Sequence, residues 1–214
     1  MGTLAACVAG AGWAGAQQAA PFTARTRTVR YLISSDGHKT VTSIEVGTVA
    51  RSSSGFVLHR AHAVVKGKAM PDEGVLIGPD GAATRILWGS KQAIQVQDGR
   101  PGQIAPSGQA RGKTVQMNGV DCIIVPAAAR SCVGGNCTPA PATLKSDACF
   151  SPEFGVLVHA DVLAPKPAGT PSGGSTQEMV QDTYDFKPGE PDPQTMKVPD
   201  GFRVSRGIIA LPGH

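Results

Sequence analysis

Aromatic side chains are scarce in this sequence: two Trp, two Tyr and six Phe among 214 residues. Proteins that hold single-stranded nucleic acid stack bases on such rings, so the scarcity argues against that class. A block of like charge is also missing. The formal net charge is +4, with basic residues spread along the chain, and no nucleic-acid partner is expected. The densest basic group, Arg25, Arg27 and Arg30, reads as the solvated side of a first strand. Beyond the first residues there is no GxSxG, no HExxH and no phosphate-cradling glycine loop, so no catalytic residue and no cofactor is assigned. After residue 16 no apolar run is long enough to span a bilayer, and no transmembrane segment is expected there.

Turn formers are abundant: 27 Gly and 17 Pro accompany an apolar content of 41%. Both residues are depleted inside helices and strands, so the composition describes a folded chain of short elements and many reversals. The length suits one domain with one substantial core, expected over 17–214.

Residues 1–16 carry no charge and consist mainly of Ala, Gly, Leu and Val. They resemble the apolar and cleavage regions of a secretory signal peptide, without its positive start. Ala14-Gly15-Ala16 supplies small residues for a signal peptidase, which places cleavage after Ala16. Two rivals share the segment. Leu4-Ala5-Ala6-Cys7 has the form of a lipobox, which would make Cys7 a lipidated N-terminus, although only six residues precede it. The glycines of Gly10-Ala11-Gly12-Trp13-Ala14-Gly15 spell GxGxxG, but a dinucleotide site needs a helix to begin there. Pro21 and the strand-like alternation from Thr26 leave no room for that helix. The chain is therefore expected in the periplasm or secreted, or, through Cys7, lipid-anchored to the envelope.

The rest reads as strands. β-branched residues dominate Ala24 to Ile33, Asp36-Gly37 suits a tight hairpin turn, and Lys39 to Val46 continues the pattern. Phe56 to Val65 is a third strand, and Gly78-Pro79-Asp80-Gly81 turns Val75 to Ile77 onto Ala82 to Trp88. Gln92 to Gln97 alternates before a Gly/Pro-rich loop from Asp98 to Gly112. Thr114 to Met117 and Val120 to Val125 surround Asn118-Gly119, and Phe154 to Leu163, Gln177 to Phe186 and Phe202 to Leu211 complete the set. The Pro/Gly/Ser-rich stretch 164–176 is predicted to be a flexible connection, since it cannot bury enough apolar surface to stay ordered. No stretch holds a helical period over three turns, so little helix is expected.

Without Cys7, four cysteines remain, an even number that in an exported chain points to disulfides. Cys132 and Cys137 flank Val133-Gly134-Gly135-Asn136, a sequence that lets the chain reverse. Cys122 lies in one strand and Cys149 at the start of the next, so an antiparallel pairing of those strands would bring them together. The expected bonds are Cys132 to Cys137 and Cys122 to Cys149. No CxxC pair and no His within the cysteine segment suggests a metal site, and none is assigned.

His59 and His62 resemble a ligand pair only on a helix; three apart on a strand, they face opposite ways. His38 falls in a turn, His159 in a strand and His214 at the end, none beside a nucleophile in sequence. Asp36, Asp80, Asp98, Asp192 and Asp200 adjoin Gly or Pro and are explained as turn makers.

The C-terminal half carries a pattern of its own. It comprises Gly119 to Val125 (GVDCIIV), Phe150 to Val158 (FSPEFGVLV), Tyr184 to Pro193 (YDFKPGEPDP) and Val198 to Phe202 (VPDGF). Over residues 112–204 this resembles the bacterial lipoprotein-carrier (LolA-like) and RseB-like superfamily. Met196 stands where an aromatic is usual there, and Phe202 where Tyr is common. The resemblance implies a single curved antiparallel sheet, an unclosed half-barrel whose concave face forms an apolar cavity under helices; no helical cover is evident in this sequence. It implies a non-enzymatic envelope module that holds a lipid or lipoprotein acyl chain, or a sensor that recognises an envelope protein partner. A deep apolar cavity would favour the first, and a filled core the second.

Overall fold

Asn118 and Gly119 both adopt positive φ, 52° and 81°, and join two short strands by the two-residue turn that Asn-Gly favours. Similar reversals at Asp36-Gly37 and Asp80-Gly81 are fastened by the acidic side chains, whose carboxylates accept the backbone N–H of His38 and Ala82. Asp192 does the same for Gln194. The turn role expected of these aspartates is thus met by their hydrogen bonds.

The computed structural model describes residues 19–65, 67–96, 113–126, 130–133, 136–139, 146–165 and 176–207. The first seven strands are β1 Phe22–Ile33, β2 Lys39–Arg51, β3 Val57–Val65, β4 Lys68–Ala69, β5 Glu73–Ile77, β6 Ala83–Leu87 and β7 Gln92–Val96. The others are β8 Thr114–Met117, β9 Val120–Pro126, β10 Arg130–Val133, β11 Asn136–Pro139, β12 Ser146–Ser151, β13 Val156–Pro165, β14 Thr176–Pro188 and β15 Arg203–Gly207. One 3₁₀ turn, Trp88–Ser90, is the helical content among the described residues. The mainly β reading therefore holds. One large unclosed sheet runs in the order β15-β7-β6-β5-β3-β2-β1-β14-β13-β12-β9-β8, with β4 beside β3.

Four details depart from expectation. The last strand, β15, pairs parallel to β7, so the sheet is antiparallel except at this edge. Strand β12 was hidden in the sequence, and β10 with β11 forms a separate two-stranded ribbon. Arg25 and Arg27 are exposed on one face, but Arg30 lies on the other, 3.9 Å from Glu45. Ala164, Pro165 and Thr176, expected in the flexible connection, belong instead to paired strands, Ala164 opposite Gln177 and Pro165 opposite Thr176. Residues 1–18, with Cys7 and Ala16, and residues 97–112, 166–175 and 208–214 lie outside the described residues.

Adjacent residues Val49 and Ala50 are both buried, as are Val57 and Leu58. Neighbours on a strand point to opposite faces, so the sheet carries a core on each side. On the first face, Val49 and Val57 join Phe22, Ala24, Phe154, Val158 and the two cysteines Cys122 and Cys149. The rings of Phe22, Phe154 and Phe186 fill this core, with centroids 5.1 to 5.5 Å apart. On the second face, Ala50 and Leu58 pack with Leu76, Ile86 and Met196. Met196 comes from the segment after β14, which crosses that face as a strap. The strap is pinned where the Glu190 carboxylate accepts the Ser53 N–H, and it delivers β15 to β7, where Arg203 N–H donates to the Lys91 carbonyl.

The sheet is strongly curved. In sheet order β9 stands three strands from β14, about 14 Å if the sheet were flat. Yet Asn118, at the tip of the β8–β9 hairpin, donates its side-chain amide to the Thr183 carbonyl in β14 at 2.9 Å. The far end has therefore curled back over the first face. Strands β2 and β3 approach closely at Gly47, where a Cβ would collide with the Arg60 carbonyl oxygen. Only glycine allows so close an approach, which explains a glycine in mid-strand.

Candidate functional site

The alternation of β1, β2, β3 and β14 arranges their second-face side chains in rows. Tyr184 is opposite Arg25, Arg25 opposite Thr48, and Thr48 opposite Arg60, so one register row crosses four strands. The next row holds His159, Asp182, Arg27, Val46 and His62. An open groove of about 410 Å³ follows the first row and reaches Val46 and His62 of the second, lined chiefly by Arg25, Thr48, Arg60, His62, Asp72 and Tyr184.

Arg60 is the most constrained of these side chains. The Asp72 carboxylate oxygen Oδ2 accepts from its Nε at 3.1 Å and its Nη2 at 2.7 Å. The Trp88 ring lies over the guanidinium, 4.5 Å from centroid to Cζ, adding a cation–π contact. His62 Nδ1 stands 3.9 Å from the other oxygen of Asp72. Arg25 is held loosely: its guanidinium is 3.6 Å from Asp185, and both side chains are more than half exposed. At the far end of the second row, His159 Nδ1 meets Asp182 Oδ1 at 2.8 Å.

His59 and His62 do point to opposite faces, since Arg60 and His62 share the groove side of β3. The carboxylate beside His159, invisible in the local sequence, comes from β14 by register. Chemically, the groove offers one fixed and one loosely held cation, a phenol and a hydroxyl to a polar ligand. Among the described residues, no group of three or more His, Cys, Asp or Glu could hold a metal ion.

The cysteines behave partly as expected. Cys122 and Cys149 are bonded, with Cα atoms 5.4 Å apart, and both are buried. Their geometry differs from a simple hairpin: Cys149 sits in β12 opposite Ile124, so the bond runs diagonally across the β9–β12 pair. Cys132 and Cys137 are opposite each other in the β10–β11 register, but their side chains lie outside the described residues.

A second polar cluster lies near the hairpin end of β1 and β2. The Lys39 ammonium contacts both carboxylate oxygens of Glu178, at 2.8 and 2.7 Å, and the Glu178 side chain is only 8% exposed. Its hydrogen bond to Glu178 raises the Lys39 pKa. Burial lowers that of Arg51, which lies under the Ser151–Gly155 turn.

No protein-family model matches the chain, and no curated protein matches it in sequence. The loosely similar solved structures include these two. One is PNGF-II, with 10% identity and a TM-score of 0.37; the match covers 86% of this chain, which spans only 32% of that one. The other is a domain from Vibrio parahaemolyticus named for outer membrane lipoprotein sorting, with 7% identity, a TM-score of 0.33 and coverage of 82% and 88% of the two chains. Among the described residues, no helix is long and apolar enough to cross a membrane.

Proposed function

We propose that this chain is a non-enzymatic binding module of the cell envelope, and that it recognises a polypeptide partner across the second face of its curved sheet. The observation that carries the reading is the register row Tyr184, Arg25, Thr48 and Arg60, which sets a phenol, a hydroxyl and two guanidiniums along an open groove. Such a groove offers charged and hydrogen-bonding groups along an extended surface, as a polypeptide requires. The first face supports the same choice, because the aromatic core fills the side on which an acyl chain was expected. The buried disulfide supports a location outside the cytoplasm, where such bonds persist.

A photo-crosslinking side chain placed at Thr48 tests the proposal in intact cells. The expected result is one polypeptide adduct that disappears when Arg25 is changed to Glu. Adduct formation unaffected by that charge reversal, or no polypeptide adduct at all, overturns it.

One observation favours an acyl-chain ligand instead. Val41, Val65 and Met70 are 49%, 39% and 46% exposed on the β2–β3–β4 part of the sheet. Lipid recovered by extraction of natively purified protein, and lost when Val65 and Met70 are changed to Ser, would support that second reading.

A further inference from the structure

We infer that the segment bound in the groove is acidic, its Asp or Glu carboxylates being received between Arg25 and Arg60. The inference rests on the polypeptide reading of the same groove and adds the chemistry of the partner.

The lining carries two permanent cations, Arg25 and Arg60, against one carboxylate, Asp72. That carboxylate is already engaged. Its Oδ2 accepts two hydrogen bonds from Arg60, and its Oδ1 faces His62. Asp72 thus orients Arg60 more than it occupies it: Nε and Nη2 point to the aspartate and Trp88 covers the guanidinium face, which leaves the remaining Nη1 edge for a ligand. A guanidinium fixed in this way loses little entropy when it binds a planar carboxylate, the anion that its donor geometry suits.

Arg25 supplies the second contact by exchange. Its pairing with Asp185 is 3.6 Å long between side chains 67% and 54% exposed, and surface pairs of this kind contribute little. A ligand carboxylate can replace Asp185 there at small cost. Thr48 stands between the two arginines in the row, and the Tyr184 phenol flanks Arg25, so hydroxyl donors accompany both cations. One row later, Arg27 lies opposite Asp182, which is engaged with His159.

The full chain is titrated with a fluorescent Glu/Ser peptide, a Gln/Ser peptide of the same length, and vesicles containing phosphatidylglycerol. The expected result is binding of the Glu/Ser peptide alone. Its affinity should drop about tenfold in Arg25→Ala, the loss of one charge-assisted contact. It should also weaken from about 0.1 M to about 1 M salt, as the screening length shrinks from ~10 Å to ~3 Å. Arg203→Ala, which removes an exposed arginine on β15 away from the groove, should bind like the parent. Equal binding of the two peptides, or equal losses in Arg25→Ala and Arg203→Ala, overturns the acidic inference while leaving polypeptide recognition standing. Binding of neither peptide overturns both. Vesicle binding that depends on Arg25, without peptide binding, assigns the groove to an anionic lipid headgroup and overturns both as well. Because Arg25 is exposed, its truncation leaves the fold intact, and a circular dichroism spectrum matching the parent verifies this.

Discussion

The Trp88 ring occupies the space that a side chain on Gly74 would need. A Cβ built there would lie 2.8 Å from the ring and 2.4 Å from the His59 carbonyl oxygen. The same ring covers the Arg60 guanidinium, so one missing methyl group sets the position of a groove cation. Gly74→Ala should destabilise the protein by about 1–3 kcal/mol through overpacking. It should also displace Trp88, which urea unfolding and near-ultraviolet circular dichroism would register together. An unchanged unfolding midpoint would contradict this packing.

The Cys122–Cys149 bond closes a loop with a sequence separation of 27. On the loop-entropy model such a bond contributes about 3.5 kcal/mol. Replacing both cysteines with Ala should lower stability by roughly that amount, and the midpoint of chemical unfolding at fixed pH measures it. The loss should be absent when the parent is unfolded under reducing conditions, because both chains then lack the link.

Glu178 depends on Lys39 for its partner in a nearly buried position. The hydrogen bond raises the folded pKa of Lys39 above the unfolded value of 10.5. The resulting stability is fully present below that unfolded value and is lost as pH rises through the folded one. Glu178→Gln should therefore be less stable than the parent at about pH 7, and the gap should narrow at strongly alkaline pH. Urea midpoints of both proteins across that range give the comparison.

Asp36 shows the opposite sign. Hydrogen bonds from Ser34 and from the His38 backbone hold its carboxyl below the ordinary 3.8. Its contribution is present above that value and is lost as pH falls through the depressed folded pKa. Asp36→Ala should consequently weaken the β1–β2 hairpin near neutral pH and converge on the parent in strong acid. Hydrogen exchange of the Ile33 and Lys39 amides would report the local effect.

Hairpins were legible in the sequence because their determinants are local. Asn118-Gly119, Asp36-Gly37 and Asp80-Gly81 each specify a reversal within a few residues, and the strands on either side follow. Strand β12 was not legible: it is six residues long and runs straight into the Ser151–Gly155 turn, so its pattern merges with β13. Nor could alternation reveal that β15 joins β7 in parallel, since that pairing depends on where the strap crosses the sheet. The groove shows the same division. Arg60 and His62 share a face by the period of two, but Arg25 and Tyr184 reach them only through the order β14-β1-β2-β3. The Cys122 to Cys149 pairing was correct while its geometry was not, because strand count between the cysteines is a tertiary property.

The placement of β14 and β15 bears on how the chain is made. Strands β1 to β7 form one meander, yet β1 waits for β14 and β7 waits for β15, so both flanks of this half are closed by strands synthesised well after it. Phe22 finds Pro188 only when the chain has emerged through the end of β14. Until then a nascent chain displays two bare strand edges, the surface on which neighbouring molecules join. The C-terminal portion acts as a clasp, and a ribosome-stalled fragment ending before residue 176 should need a holding chaperone to remain dispersed.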